Sequence, residues 1–105
     1  MVPLTLAEVV KATGGRLITQ NNTKLTFTEI SLDSRQVVKN SLFIALKGER
    51  YDGHDFIKQA VTNGATALIV KEGFQLPTGN NRAVIVVSDT KEALLKIGHL
   101  LKTKL

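Results

Sequence analysis

The chain has 105 residues, 43% of them hydrophobic and 22% charged, which is the composition of one folded domain rather than of a disordered tail. It contains no cysteine, which excludes disulfides and thiolate metal sites, and it has no apolar run of the roughly 20 residues that a membrane span needs. The net charge of +5 comes from basic residues spread along the chain, without the interleaved aromatic residues of a surface for single-stranded nucleic acid.

The start of the chain predicts a helix. In "LTLAEVVKATGG" (residues 4–15), Thr5 is a helix cap and Glu8 its capping-box partner, and Gly14 or Gly15 can end the helix in a left-handed conformation. The sequence "MVPLTLAEVV" lacks the basic segment of a signal peptide. We therefore expect a cytoplasmic, monomeric domain over residues 1–105 that binds neither nucleic acid nor a membrane.

Short strands and turns follow. "GRLIT" (15–19) predicts a strand and "QNNTK" (20–24) a turn. "LTFTEISLDSR" (25–35) alternates apolar and polar residues, with Leu32 as its last apolar member, and a shift in this alternation indicates a β-bulge. "QVVKN" predicts a loop in which Asn40 takes a positive φ.

The second half of the chain predicts buried strands joined by helices. "SLFIAL" (41–46), "TALIVK" (66–71) and "AVIVVSD" (83–89) are apolar runs of strand length, the pattern of strands covered on both faces. "DFIKQAVTNGA" (55–65) has helical spacing and ends at Gly64.

A polar loop, "EGFQLPTGNNR" (72–82), separates the last two strands, and "TKEALLKIGHLLKTKL" (90–105) predicts a helix capped by Asp89 or Thr90. Its expected apolar stripe consists of Leu94, Leu95, Ile97, Leu100 and Leu101. The predicted fold is a single small α/β domain with a mostly buried mixed β-sheet of about five strands and three helices.

The first candidate site is "DSR" at the end of a predicted strand. Asp33 and Ser34 offer hydrogen-bond acceptors and a donor to a heterocycle or a ribose, and Arg35 can fork onto a phosphate or carboxylate. The alternative is an ordinary turn at a strand end with an exposed arginine.

The second candidate is "KGERYDGHD", where Lys47 and Arg50 flank Gly48, at which backbone N–H groups can approach an anion. Asp52 or His54 can cap the following helix, whose N-terminus favours a phosphate. The alternative is a capped loop whose charges face water.

A metal site is a third hypothesis, built from Asp33, Asp52, His54 and Asp55. Too few ligands converge at a defined spacing, and His99 is expected to face water on the last helix, so we expect no metal site. There is no nucleophile in a G-x-S-x-G elbow and no G-x-x-x-x-G-K-[ST] sequence, so we expect no catalytic residue in this chain.

The ordered set of motifs resembles the N-terminal domain of the Mur ligases, the cytoplasmic bacterial enzymes that build the peptide stem of peptidoglycan. It comprises Asp-Ser-Arg, the "SLFIAL" strand, "DGHDF" and "AVTNGATALIV". The version "LKGERYDGHDF" is most similar to the MurF branch, which adds D-alanyl-D-alanine. The chain departs from the family pattern at Lys39-Asn40, where Pro-Gly is usual, and at Leu32, where threonine is frequent.

The resemblance implies a domain that holds the UDP end of UDP-N-acetylmuramoyl-tripeptide. The implied substrate-binding residues are Asp33, Ser34, Arg35, Lys47, Gly48, Arg50, Asp52, Gly53, His54 and Asp55. It also implies that ATP and Mg²⁺ bind a central domain and that a third domain closes over the site, both absent from this chain, so the isolated domain is expected to be inactive.

Three alternatives remain open: a MurE-type domain from a ligase that adds the third amino acid, a stand-alone module that binds an anion or a protein, and a metal-dependent Asp/His enzyme.

Overall fold

Four parallel strands form the centre of the fold, in a computed structural model that describes residues 1–18, 24–76 and 82–105. The larger sheet has the order β2-β7-β6-β5-β4, and β2 alone runs antiparallel to its neighbour, whereas β1 and β3 form a separate antiparallel pair. The strands are β1 (Leu4–Thr5), β2 (Arg16–Leu17), β3 (Thr26–Phe27), β4 (Glu29–Ser31), β5 (Ser41–Ile44), β6 (Ala65–Lys71) and β7 (Ala83–Val87). The predicted five-stranded mixed sheet is confirmed.

Three α-helices connect and cover these strands: α1 (Leu6–Thr13), α2 (Ile57–Thr62) and α3 (Thr90–Thr103). Two short 3-10 helices complete the fold: Ser34–Gln36 follows β4, and Gly53–Phe56 leads directly into α2. Asp52 caps the second of these, as predicted for the helix in this region, whereas α2 itself has no side-chain cap.

The predicted helix caps and the predicted positive φ of Asn40 are confirmed. Thr5 and Glu8 form the capping box of α1, and Gly14 ends that helix at φ 68°. Asp89 caps α3 by accepting from two backbone N–H groups, and Asn40 takes a φ of 67°.

The helices cover both faces of the sheet. In β5, Leu42 and Ile44 pack into the core beneath α1 and α3, while Phe43 packs on the other face, against Ile57 of α2. Every residue of β5 and of β7 is buried, which explains why these strands are continuous apolar runs rather than alternating ones.

Three expectations about residues 25–35 and the helices are wrong. The shift after Phe27 is not a bulge: Thr28 separates β3 from β4, which belong to different sheets. Leu32 is 46% exposed, because the chain has already left β4. In α3, Leu95 is 68% exposed rather than part of the buried stripe, because Ala93 and Ile97 are the helix residues that face the sheet.

Two predicted segments are only partly described. The turn over 20–24 lies outside the described residues except for Lys24, and so does the middle of the loop over 72–82. Within the described ranges, no helix has the length and apolar character needed to cross a membrane.

Candidate functional site

A cleft of about 960 Å³ lies at the edge of the sheet where the four parallel strands end. Residues that follow β4, β5 and β7, together with the last residue of β6, line it. This is the edge at which open α/β sheets bind their ligands, because the loops that leave parallel strands converge there.

The loop after β4 begins with a turn that is closed by its own ion pair. Asp33 Oδ1 accepts from the Arg35 backbone N–H at 2.9 Å and from Arg35 Nε at 3.1 Å, and Oδ2 accepts from the second guanidinium nitrogen at 2.8 Å. The hydrogen bonds from the Arg35 side chain and backbone hold the pKa of Asp33 below its usual value. The Arg35 side chain remains 75% exposed, so a ligand can reach it.

Ser34, between these two residues, connects the turn to α2. Its hydroxyl donates to Gln59 Oε1 at 2.6 Å, and its carbonyl accepts from Asn63 Nδ2 at 2.9 Å. Ser34 is 5% exposed, so the structure assigns it a role in holding the turn against the helix, at the wall of the cleft.

The loop after β5 is a small hairpin. Lys47 and Asp52 face each other as an antiparallel bridge, and the Gly48 N–H donates to the Tyr51 carbonyl at 2.9 Å. This turn carries Glu49 and Arg50, both exposed, to its tip. The hairpin therefore presents charged side chains at the mouth of the cleft.

Aromatic side chains stand beside this hairpin. The Tyr51 and Phe56 rings meet edge to face, with their centroids 5.8 Å apart, and both residues line the cleft. They are 66% and 38% exposed, which offers an apolar surface next to the charged tip.

Gly53 lets the hairpin return closely to the end of β5. Its N–H donates to the Leu46 carbonyl at 2.7 Å. A Cβ at this position would lie 2.8 Å from the Leu46 nitrogen and 2.9 Å from its oxygen, which are backbone atoms. The glycine is required by this close approach.

His54 is buried and makes two ring hydrogen bonds. Its Nδ1 lies 2.6 Å from Asp52 Oδ1, and its Nε2 accepts from the Lys71 backbone N–H at 2.9 Å. Because Nε2 accepts, the proton of the neutral ring sits on Nδ1 and is donated to Asp52. Burial raises the pKa of Asp52, but the hydrogen bonds from the His54 backbone and ring outweigh it, so that pKa lies below its usual value.

The cleft has more cations than its carboxylates neutralise. Lys47, Arg50, Lys71 and Lys91 line it, and none of them forms an ion pair within 4 Å with any residue in the described part of the chain. Its lining has five cationic side chains, Arg35 included, against the four carboxylates of Asp33, Glu49, Asp52 and Asp89, so one positive charge is in excess. Asp33 is paired with Arg35, and Lys47 lowers the pKa of Asp52 through its charge. The cleft therefore suits an anionic ligand.

Nine of the ten residues predicted from the sequence line this one cleft: Asp33, Ser34, Arg35, Lys47, Gly48, Arg50, Asp52, Gly53 and His54. Asp55 is exposed and lies outside the lining. The cleft also contains residues that sequence reasoning did not select, at the ends of β6 and β7: Lys71, Ser88, Asp89, Thr90 and Lys91. The usable signal was that polar residues follow each of two buried strands, which meet at one edge if the strands are parallel.

No group of three or more His, Cys, Asp or Glu side chains within residues 1–18, 24–76 and 82–105 is arranged to hold a metal ion. Asp52 and His54 contact each other instead of pointing together at an open position, and His99 is exposed on α3.

Comparisons with known proteins identify the family of the chain. A family model described as "Mur ligase family, catalytic domain" matches residues 26–99. The UDP-N-acetylmuramoyl-tripeptide–D-alanyl-D-alanine ligase of Haemophilus influenzae is 35% identical over all of this chain and 22% of that protein. The UDP-N-acetylmuramoyl-L-alanyl-D-glutamate–2,6-diaminopimelate ligase of Aquifex aeolicus is 44% identical over 67% of this chain and 14% of that protein.

Among solved structures, MurF from Acinetobacter baumannii superposes with a TM-score of 0.74 at 36% identity, over 91% of this chain and 20% of that one. The chain belongs to the Mur ligase family and has the fold of its N-terminal domain. It spans about a fifth or less of the length of these relatives.

Within the family, the extent of the match favours the MurF branch. Three relatives named as D-alanyl-D-alanine ligases match 89% to 100% of this chain. Four named as diaminopimelate ligases match 65% to 69% of it. Both branches therefore match about two thirds of the chain or more, and these MurF-type relatives match most or all of it.

Proposed function

We propose that this chain is the substrate-recognition domain of a MurF-type ligase, which binds the UDP end of UDP-N-acetylmuramoyl-tripeptide in the cytoplasm of a bacterium. The observation that carries the proposal is the cleft itself, because nine residues implied by the family motifs line it. Its unpaired cations suit a diphosphate, and its aromatic edge suits the flat face of a base.

The roles of the cleft residues divide into contact and support. The exposed side chains of Lys47, Arg50 and Arg35 are available to a ligand. Ser34, Asp52 and His54 make their hydrogen bonds within the protein and hold the loops in place, and Gly53 allows the close return of the hairpin.

The chemistry of the proposed parent enzyme takes place elsewhere. In it, a central domain would hold ATP and Mg²⁺. The terminal carboxylate of the peptide would take the terminal phosphoryl group of ATP with release of ADP, and the amine of D-alanyl-D-alanine would then displace phosphate from the acyl phosphate to form the amide. The G-x-x-x-x-G-K-[ST] sequence that would cradle ATP is absent from residues 1–105, so the domain is proposed to be inactive alone. What its residues contribute is to bind and orient the nucleotide end of the substrate.

The proposal is tested by titrating the isolated domain with UDP and with UDP-N-acetylmuramoyl-tripeptide, followed by amide chemical shifts, with ATP as the comparator. We expect shifts at 33–35 and 47–54 with both UDP ligands and none with ATP. Because the rest of the proposed site belongs to other domains, we expect a Kd on the order of 0.1–1 mM. Absence of shifts at millimolar UDP would contradict the proposal and favour a stand-alone module with a different ligand.

A matched pair of variants makes this titration specific. Arg50→Ala removes an unpaired cation of the cleft. Lys102→Ala removes an exposed cation in the last turn of α3, and Lys102 does not line the cleft. We expect the first to weaken UDP binding about three- to tenfold and the second to leave it unchanged. A nucleic-acid-binding domain would instead bind its ligand with an affinity that falls steeply as the salt concentration rises.

The second candidate function is that of a MurE-type domain. It is favoured by the 44% identity to the diaminopimelate ligase of Aquifex aeolicus, although over a shorter stretch. The two candidates predict the same UDP cleft and differ in the amine that the whole enzyme adds. A longer chain carrying this domain should therefore be assayed with D-alanyl-D-alanine and with diaminopimelate.

A further inference from the structure

The hydrogen-bond ladder between strands β5 and β6 ends one hydrogen bond before the two strands diverge. The Ala45 N–H donates to the Ile69 carbonyl at 3.0 Å, so in a continuous parallel ladder the Ala45 carbonyl would accept from Lys71. The Lys71 N–H instead donates to His54 Nε2 at 2.9 Å. An imidazole ring thus takes the position of a strand carbonyl at the point where the sheet opens into the cleft.

Three contacts fix the ring in that position. Asp52 Oδ1 holds Nδ1 at 2.6 Å and also accepts from the His54 backbone N–H at 2.9 Å. The Phe74 ring packs against the imidazole with a centroid separation of 4.8 Å. His54 is 7% exposed, so water does not compete for these bonds.

We propose that His54 is a positioning residue of the cleft, whose neutral imidazole separates the ends of β5 and β6 and holds Lys71 opposite the 47–52 hairpin. The ligand of the cleft, UDP, is taken from the proposed function, whereas both ring hydrogen bonds of His54 lie within the chain itself. His54 contacts no substrate in this assignment; it acts through the backbone of Lys71 and the side chain of Asp52.

The test compares two substitutions at this position. His54→Gln keeps an acceptor that can reach the Lys71 N–H, whereas His54→Leu keeps the bulk and removes the acceptor. His99→Leu, on the exposed face of α3, is the matched control for replacing a histidine by leucine. Urea unfolding of each variant first establishes that it is folded, and UDP binding is then measured from amide chemical shifts.

We expect His54→Leu to weaken UDP binding about tenfold, and His54→Gln to remain within about threefold of the unsubstituted chain. His99→Leu should bind UDP unchanged. The inference is overturned if the folded Leu variant binds UDP as the unsubstituted chain does, or if the Gln and Leu variants lose affinity equally, because the acceptor would then be irrelevant.

Failure of the proposed function is distinguishable from failure of this inference. If the unsubstituted chain does not bind UDP, the proposed function fails, and the ligand-free amide spectra decide about His54. In that case His54→Leu must shift the signals of 47–50, across the cleft from Lys71, clearly more than His54→Gln does, whereas the Lys71 amide, bonded directly to the ring, shifts in both variants. Changes confined to 52–56 would refute the positioning role.

Discussion

Gly15, in the connection between α1 and β2, packs closely against β7, and Gly15→Ala tests this contact. A Cβ on Gly15 would lie 2.4 Å from Ile85 Cγ2 and 3.0 Å from Val87 Cγ1, with the Val86 carbonyl oxygen at 3.1 Å. Ordinary carbon–carbon contacts are about 3.5–4.0 Å, so the overlap with Ile85 exceeds about 1 Å. Ile85 is fully buried and branched at Cβ, so it cannot swing away, and the strand itself must move.

Overpacking of this kind costs about 1–3 kcal/mol. A chain of this length is stable by roughly 5–15 kcal/mol, so the loss is a substantial fraction of the free energy of unfolding. For a domain of about this size it corresponds to a fall in Tm of roughly 5–20 °C.

The control is Gly98→Ala, in the middle of α3, where a Cβ meets no atom within 4 Å. Alanine is the better helix former by about 0.5–1 kcal/mol, so this variant should be more stable than the unsubstituted chain. Urea unfolding followed by far-UV circular dichroism measures both variants. If Gly15→Ala is as stable as the unsubstituted chain while Gly98→Ala gains stability, the packing argument at β7 is refuted.

Two further predictions concern the ends of the chain and α3. Hydrogen bonds from Lys104 and from the Thr5 backbone hold the pKa of Glu8 below its ordinary value of 4.5. The stability that the Glu8 carboxylate contributes is therefore present above pH ~4.5 and is lost as the pH falls through the lowered pKa. In urea unfolding, Glu8→Gln should lower the stability of the chain at pH ~7 and leave it unchanged near pH ~2. An equal loss of stability at the two pH values would contradict this prediction. Ile97→Ala should lower the free energy of unfolding by about 2–5 kcal/mol because Ile97 is fully buried, whereas Leu95→Ala should change it by no more than about 0.5 kcal/mol because Leu95 is 68% exposed. Equal losses in the two variants would mean that Leu95 belongs to the buried stripe after all.

Much of the local structure was predictable because each signal acts within a few residues. Thr5 and Asp89 cap helices through side chains that reach backbone N–H groups up to three positions away. Gly14 and Asn40 were identified because a positive φ restricts which residues fit. The buried strands were recognisable as continuous apolar runs, since a parallel strand covered on both faces has no polar side.

The sequence by itself also determined most of the candidate cleft, because the motifs after β4 and β5 each contain the charged residues that line it. What only the tertiary structure decided is which distant residues join them. Lys71 and Ser88–Lys91 reach the cleft because the order of the strands places the ends of β6 and β7 at the same edge, and strand order depends on long-range pairing. The role of His54 as an acceptor for Lys71 was undetectable for the same reason: its partner lies 17 residues away, on another strand.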